Sequence, residues 1–198
     1  MKPPALYIIG GVAVGKSTFM NQLTSDMRFG MERDVHRWNS PYQGRDVRLV
    51  GHDVRQGGLQ GIYLGRHGHP TFPGTDRLER TSHNAGKEWL EGLQPDTAPD
   101  FIIGEGATLA TRAFMETLVA TTDALVMHLH CDPMVADLRL LGRGTGQPAS
   151  FVKATVTRSL NTEKFLAQLG HSTYRVDTED QDAWRKALAD GWAHLGLA

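Results

Sequence analysis

The sequence predicts an α/β fold in one domain, residues 1–198, with a mainly parallel five-stranded sheet. Three observations support this prediction. Short apolar runs alternate with helix-type segments along the chain, as in strand–helix–strand units. A glycine-rich loop separates the first apolar run from the first helical segment. The composition, 40% hydrophobic and 22% charged with a formal net charge of −1, is that of an ordinary globular domain.

The glycine-rich loop is the strongest functional signal. Residues 5–9 are an apolar run of strand type, residues 16–25 open a helix, and residues 10–18 between them read GGVAVGKST. This fits G-x-x-x-x-G-K-[ST], a loop whose backbone N–H groups wrap nucleotide phosphates, with an ordinary glycine-rich turn as the alternative. We expect Lys16 to reach the β- and γ-phosphates and the Ser17 hydroxyl to ligate Mg²⁺. The loop residues expected to bind the nucleotide are Gly10, Val12, Ala13, Val14, Gly15, Lys16, Ser17 and Thr18.

The stretch that follows is polar and rich in arginine. Residues 27–44 lack periodicity and predict a surface loop or short helix, whereas residues 47–51 predict the second strand, ending at His52 and Asp53. Residues 61–65 predict a further strand or a strand-like turn. Residues 66–76 are rich in Gly, Pro and His and predict a functional loop. Between residues 28 and 80, nine arginines face six acidic residues, which indicates either an anionic acceptor or a solvated mixed surface.

The second half of the chain alternates more regularly. An apolar strand over residues 100–106 carries Glu105 near its end, and a second strand covers residues 124–130. Asp132 is expected to N-cap the next helix with Pro133 at its first position. The remaining predicted helices cover residues 84–93, 108–120, 151–169 and 182–195, and a last strand covers residues 173–177.

The loop motif in this context resembles the P-loop NTPases and kinases, tightly over the first 25 residues and by architecture beyond them. The resemblance implies a three-layer P-loop NTPase fold with ATP and Mg²⁺ as cofactors. It also implies an arginine-containing lid over about residues 139–153, because Arg139 and Arg143 precede a Gly-Thr-Gly segment as lid arginines do in nucleoside and nucleotide kinases. Both are expected to bind ATP and Arg143 to assist catalysis. Exposed helix arginines are the alternative reading.

Three acidic residues follow predicted strands, where ligands of parallel sheets bind. Glu105 resembles the acid that closes the third strand of nucleoside kinases, and it contacts substrate or metal-bound water there or else caps a helix. Asp53 is either an acceptor-binding base or a surface turn acid. Asp76 is preferred as the base, with an N-cap as its alternative role. Arg66 is placed to clamp an acceptor phosphate.

These residues favour an ATP-dependent kinase that phosphorylates a hydroxyl group. Its catalytic set is Lys16, Asp76, Glu105 and Arg143, and its acceptor is of nucleoside or nucleotide type. Residues 64–76 also resemble P-loop kinases of bacteriophages, some of which phosphorylate the hydroxymethyl group of 5-hydroxymethyluracil in DNA. In that case the Arg- and His-rich stretch would contact the DNA backbone and the target base would leave the stack.

Two other classes stay open. One is a GTPase-like switch, although the spacing from Asp53 to Gly57 is one residue too long for D-x-x-G and no N-K-x-D is present. The other is a regulatory nucleotide-binding module without turnover. The histidines lack a Cys pair or H-E-x-x-H, so Mg²⁺ is favoured over zinc.

The remaining expectations concern the setting of the protein. No apolar run approaches the roughly 20 residues needed to span a bilayer, so no membrane partner is expected. The single Cys131 excludes an internal disulfide, which predicts a reduced, cytoplasmic setting, that of the host cell for a phage-encoded chain. The expected assembly is a monomer or homodimer.

Overall fold

The computed structural model describes residues 1–41, 44–68, 74–144 and 147–198, with Arg143 described by its backbone alone. Its described residues form one sheet in the order β2-β3-β4-β5-β1-β6-β7. The strands are β1 Pro4–Gly10, β2 Arg28–Asn39, β3 Asp46–Gln56, β4 Leu59–Leu64, β5 Ile102–Glu105, β6 Asp123–His130 and β7 Tyr174–Asp177. The helices are α1 Lys16–Leu23, α2 Ser82–Glu91, α3 Arg112–Thr121, α4 Pro133–Arg143, α5 Ala149–Gln168 and α6 Gln181–His194, with a 3₁₀ turn at Thr75–Arg77.

Five of the strands form the expected parallel sheet. Strand β1 pairs in parallel with β5 and β6, and these pair in parallel with β4 and β7. Alternate residues of β1 enter different cores: Tyr7 and Ile9 pack with α2 and α3 residues, whereas Leu6 and Ile8 pack with α1 and α6 residues. Because helices cover both faces of the sheet, the three-layer α/β prediction is confirmed.

The sheet has two more strands than predicted, both from the arginine-rich stretch. Residues 28–39 form the edge strand β2, antiparallel to β3, so the prediction of a loop or short helix there is wrong. The sequence hides this strand because an edge strand open to solvent carries charges instead of a clear apolar alternation. Two register shifts along the β2–β3 pair, between Phe29 and Glu32 and between Asp34 and His36, blur the alternation further.

The predicted second strand is longer than expected and runs antiparallel to its neighbour. Strand β3 continues to Gln56, turns through Gly57 and Gly58, and pairs with β4 as a hairpin. Asp53 therefore lies within a strand and not past the end of one. It is β4, which the sequence left as a strand or a turn, that pairs in parallel with β5.

The second half of the chain follows the sequence closely. The Asp132 carboxylate accepts a hydrogen bond from the Met134 N–H at 2.8 Å, and Pro133 begins α4, as expected. Glu105 is the last residue of β5. Across the described residues, none of the helices has the length and apolar character needed to pass through a membrane.

Candidate functional site

The glycine-rich loop joins β1 directly to α1. Gly10 pairs with Leu129 of β6, and a Cβ atom at Gly10 would lie 2.5 Å from the Leu129 carbonyl oxygen, so a larger residue would push the strands apart. The Lys16 ammonium donates hydrogen bonds to the carbonyl oxygens of Gly10 at 3.1 Å and Gly11 at 2.6 Å. The cationic group is thus held over the loop, next to the first turn of α1, where backbone amides favour an anion. Ser17 and Thr18 follow in that turn.

A cleft of about 640 Å³ opens beside this loop. It is lined by Ala13, Gly15, Thr18, Gln22, Arg139, Thr178, Gln181, Trp184, Arg185 and Leu188. Arg139 donates hydrogen bonds to the Ala13 carbonyl at 3.4 Å and the Thr178 hydroxyl at 3.1 Å. The structure therefore brings Arg139 of α4 to the loop, as predicted. Arg143 lies at the end of the same helix, but its side chain is outside the described residues.

Sequence reasoning missed Trp184. Its indole N–H donates to the Gln22 side-chain oxygen at 2.6 Å, and its ring packs edge-on against Phe19. A bulky amphipathic residue at the start of a C-terminal helix gives no sequence signal that it will contact residues near the N-terminus.

Asp76 and Glu105 meet at the same edge of the sheet, one strand away from the loop. Glu105 pairs with Ile8 of β1, two residues before the loop begins, and it is only 2% exposed. The exposed Asp76 carboxylate accepts a hydrogen bond from the Ala107 N–H at 2.6 Å, just past Glu105. Gly74 packs on Glu105 with φ of 70°, and a Cβ there would lie 2.5 Å from the Glu105 Cγ. The sequence expectation that Asp76 and Glu105 lie together agrees with this geometry.

Tyr7 supports this acidic edge from below, and the sequence analysis did not single it out. Its hydroxyl donates to the Gly106 carbonyl at 3.0 Å and lies 3.2 Å from the Thr75 hydroxyl oxygen. Burial raises the pKa of Tyr7 far above its usual value, so the phenol remains neutral and acts as a donor. The only sequence signal was a phenol within an aliphatic strand, because a buried hydroxyl requires a partner.

Arg66 closes the loop that leads to the acidic edge. Its backbone N–H donates to the Gly74 carbonyl at 2.9 Å, and the Gly74 N–H donates back at 2.8 Å. Its side-chain Nε lies 3.5 Å from a Glu32 carboxylate oxygen of β2. The intervening residues 69–73, part of the predicted functional loop, are outside the described residues. The structure thus gives Arg66 a loop-closing contact and an ion pair, besides the phosphate-binding role expected from the sequence.

Asp53 does not join the other two acidic residues. It pairs with Ile62, which pairs with Ile102 at the beginning of β5, whereas Glu105 lies at the end of that strand. The Arg33 guanidinium binds the Asp53 carboxylate with contacts of 2.7 and 2.9 Å. The hydrogen bond from Arg33 holds the pKa of Asp53 below its usual value. Asp53 is therefore an ion-pair residue of the β2–β3 hairpin, and its predicted place at the acceptor is corrected.

A histidine pair lies where this hairpin meets the Arg66 loop, and its arrangement was not foreseen. His52 Nδ1 donates to the Gly30 carbonyl at 3.0 Å, so its Nε2 accepts the His67 backbone N–H at 3.2 Å. The His67 ring stacks on Phe29 with centroids 3.6 Å apart. Burial, and then the proximity of His52, lowers the pKa of His67. Within the described residues, no group of three or more His, Cys, Asp or Glu side chains has a metal-binding arrangement.

Comparisons with known proteins agree with this architecture. The chain is similar to the crystal structure of an unliganded sugar kinase from Janibacter sp. HTCC2649, with 14% identity, a TM-score of 0.53 and coverage of 99% of this chain and 96% of that one. At this identity the likeness shows the fold alone. A search of curated proteins finds no match. The family model described as P-loop Nucleotide Kinase3 matches residues 1–176, and the chain therefore belongs to the P-loop nucleotide kinase3 family.

Proposed function

We propose that this chain is an ATP-dependent kinase that transfers the γ-phosphoryl group to a hydroxyl of a nucleoside- or nucleotide-type acceptor. The observation that carries the proposal is the convergence of Lys16 over the loop with Asp76 and Glu105 one strand away. Phosphoryl transfer requires this combination of a phosphate cradle, positive charge and a carboxylate near the acceptor. In this proposal the whole chain is one domain, with residues 139–153 as its lid.

The ATP nucleoside is assigned to the cleft beside the loop. Arg139, Thr178 and Trp184 lie on its walls, and Thr18 at the first turn of α1 connects it to the phosphate cradle. Arg139 is already fixed by its contacts with Ala13 and Thr178, so its guanidinium is positioned before the nucleotide arrives. The side chain of Arg143 is assigned to the phosphates from the last turn of α4.

The donor groups at the acidic edge suit Mg²⁺. The ion prefers oxygen ligands and is bound in kinases by one or two carboxylates together with substrate phosphates, which requires no cluster of three acidic residues. The Ser17 hydroxyl and the Glu105 carboxylate, directly or through water, supply such oxygens. When bound, Mg²⁺ neutralises charge on the phosphates.

In the proposed reaction, the acceptor oxygen attacks the γ-phosphorus and the bond from that phosphorus to the β,γ-bridging oxygen breaks. ADP leaves, and the proton of the acceptor hydroxyl passes to Asp76. Asp76 suits this role because it is exposed, while the Ala107 N–H binds one of its carboxylate oxygens and fixes its orientation. Lys16 stabilises the charge that develops on the transferred group.

The finer acceptor hypothesis is the hydroxymethyl group of 5-hydroxymethyluracil in DNA, in a phage-encoded kinase. It is supported by the resemblance of residues 64–76 to bacteriophage P-loop kinases. That group is a primary alcohol, the same chemical class of acceptor as the nucleoside hydroxyl. Reaction within a duplex would require the base to leave the stack.

The test is to incubate the protein with γ-labelled ATP and Mg²⁺. The panel contains nucleosides, nucleotides and DNAs with thymine or 5-hydroxymethyluracil, and the label is then located. Lys16→Ala should lower transfer on the order of 100- to 1,000-fold while the fold survives. Lys164→Gln, an exposed lysine of α5, is the matched control and should transfer at the wild-type rate. Full activity in Lys16→Ala would refute the mechanism. Release of labelled phosphate without a labelled acceptor would favour a GTPase-like switch.

A further inference from the structure

A second cleft, of about 890 Å³, lies on the other side of the glycine-rich loop. Its walls come from the start of α2, the turn between β5 and α3, and the exposed face of α5. Four cationic side chains line it: Arg80, Arg112, Lys153 and Arg158, with His83 nearby. None of its lining residues is acidic.

These four cations are not neutralised by the protein. Among the described residues, no carboxylate forms an ion pair with any of them, and the Arg112 guanidinium lies over the Phe165 ring at 5.3 Å. Like charges concentrated in a concave site repel one another and raise the local concentration of anions. Because the whole chain has a formal net charge of −1, the cleft does not simply reflect a basic composition.

The arginines of the β2–β3 side behave differently. Arg33 pairs with Asp53, Arg37 and Arg48 with Asp34, Arg45 with Glu79, and Arg66 with Glu32. The surplus of arginine in residues 28–80 is therefore largely balanced in space. The unbalanced positive charge lies instead in the second cleft, three of whose four cations come from beyond residue 80.

The cleft also adjoins the reacting edge. Ala107 lines it, and the Ala107 N–H is the donor that binds Asp76. On the opposite wall, Val156 of α5 lies so close to the loop that a Cβ at Gly11 would be 2.7 Å from its Cγ2. A molecule in the cleft thus has cations along its length and a carboxylate at one end.

We propose that this cleft binds a phosphate group of the acceptor, so that the kinase acts on phosphate-bearing acceptors and not on neutral nucleosides or sugars. The inference rests on the proposed function and narrows its acceptor class. Arg80 and Arg158 hold the phosphate by charge-assisted hydrogen bonds, Lys153 adds a point charge, and the acceptor hydroxyl faces Asp76. A nucleotide 5′-phosphate and a DNA phosphodiester supply the same chemistry, and the experiment distinguishes them.

Acceptor binding is measured without ATP, by anisotropy and calorimetry. The probes are 5-hydroxymethyl-2′-deoxyuridine, its 5′-monophosphate and a 12-mer DNA containing the base. The variants are the Lys153→Gln/Arg158→Gln pair and, on another element, Arg80→Gln, with Lys164→Gln of α5 as the matched control. The pair should bind phosphate-bearing probes roughly 10- to 100-fold more weakly. Its salt slope for the 12-mer should fall by about 1 for each lost contact.

Tighter binding of the 12-mer than of the monophosphate identifies a backbone phosphate, and equal binding identifies a free nucleotide. Either result supports the proposal when the cleft variants weaken it and Lys164→Gln does not. Wild-type affinity in all cleft variants overturns it, as does equal loss for the neutral nucleoside. ATP binding, followed by Trp184 fluorescence, should be unchanged in every variant. If cleft binding behaves as stated while no labelled acceptor forms, the proposed function fails and the anion site stands.

Discussion

Asp76→Asn separates the catalytic carboxylate from the structural one most directly. The substitution keeps the shape of the side chain and an oxygen that can accept the Ala107 N–H, now bonded to the carboxylate at 2.6 Å. A hydrogen bond to a charged acceptor contributes about 1.5–3 kcal/mol and a neutral one about 0.5–1.5 kcal/mol. Because Asp76 is exposed and solvent screens its charge, we expect a loss of stability of about 1 kcal/mol or less.

The effect on catalysis should be much larger. An amide does not take the proton of the acceptor hydroxyl, and loss of a general base typically lowers the rate about 100- to 10,000-fold. The assay is steady-state transfer from γ-labelled ATP to the best acceptor of the panel, with urea unfolding of the same preparations. We expect kcat to fall while KM for ATP stays within about twofold, since the nucleotide lies on the other side of the loop.

Asp53→Asn is the matched control, because it removes the same charge from a residue held by Arg33 at the opposite end of the sheet. This exposed ion pair should contribute about 1 kcal/mol or less to stability, and kcat should not change. A folded Asp76→Asn enzyme whose kcat is within about threefold of wild type would refute the assignment of the base. A large loss of kcat in Asp53→Asn would show that the hairpin acid acts in catalysis after all.

Two further predictions concern the support of the site. Tyr7→Phe leaves the buried Gly106 carbonyl and Thr75 hydroxyl without their phenol partner, which should lower the free energy of unfolding by about 1–3 kcal/mol in urea titrations; an unchanged midpoint would contradict this. Burial lowers the pKa of His128 although its Nδ1 bonds Glu163 at 2.8 Å, so the folded state binds this proton less readily than the unfolded chain. Stability should therefore fall as the pH drops below about 6.5, and His128→Gln should flatten the profile of Tm against pH.

The parts of the site that could be predicted are those fixed by local sequence. The loop motif specifies its own backbone and places Lys16 at a helix start, and Glu105 ends an apolar run that only a buried strand explains. The Asp132 cap is local in the same way. Each of these features depends on residues within a few positions of one another, which is the range over which propensity and capping rules apply.

The parts that could not be predicted depend on partners far along the chain. Asp53 followed an apolar run and was read as a strand-end residue, but its strand continues because Arg33, 20 positions away, neutralises it in the neighbouring strand. Tyr7 contacts Thr75 and Gly106 over separations of 68 and 99 residues. No periodicity encodes such contacts, since they arise only when the parallel strands are assembled.

The charge of the acceptor side illustrates the same limit and joins the two proposals. Counting arginines along the chain pointed to residues 28–80, whereas charge balance in space points to the cleft between α3 and α5. The nucleotide cleft reaches the loop at Gly15 and Thr18, and the acceptor cleft reaches its other side through Val156 near Gly11. Lys16, bonded to Gly10 and Gly11, lies between them. In-line transfer requires donor and acceptor on opposite sides of the migrating group, and two clefts that flank one cationic loop meet this requirement.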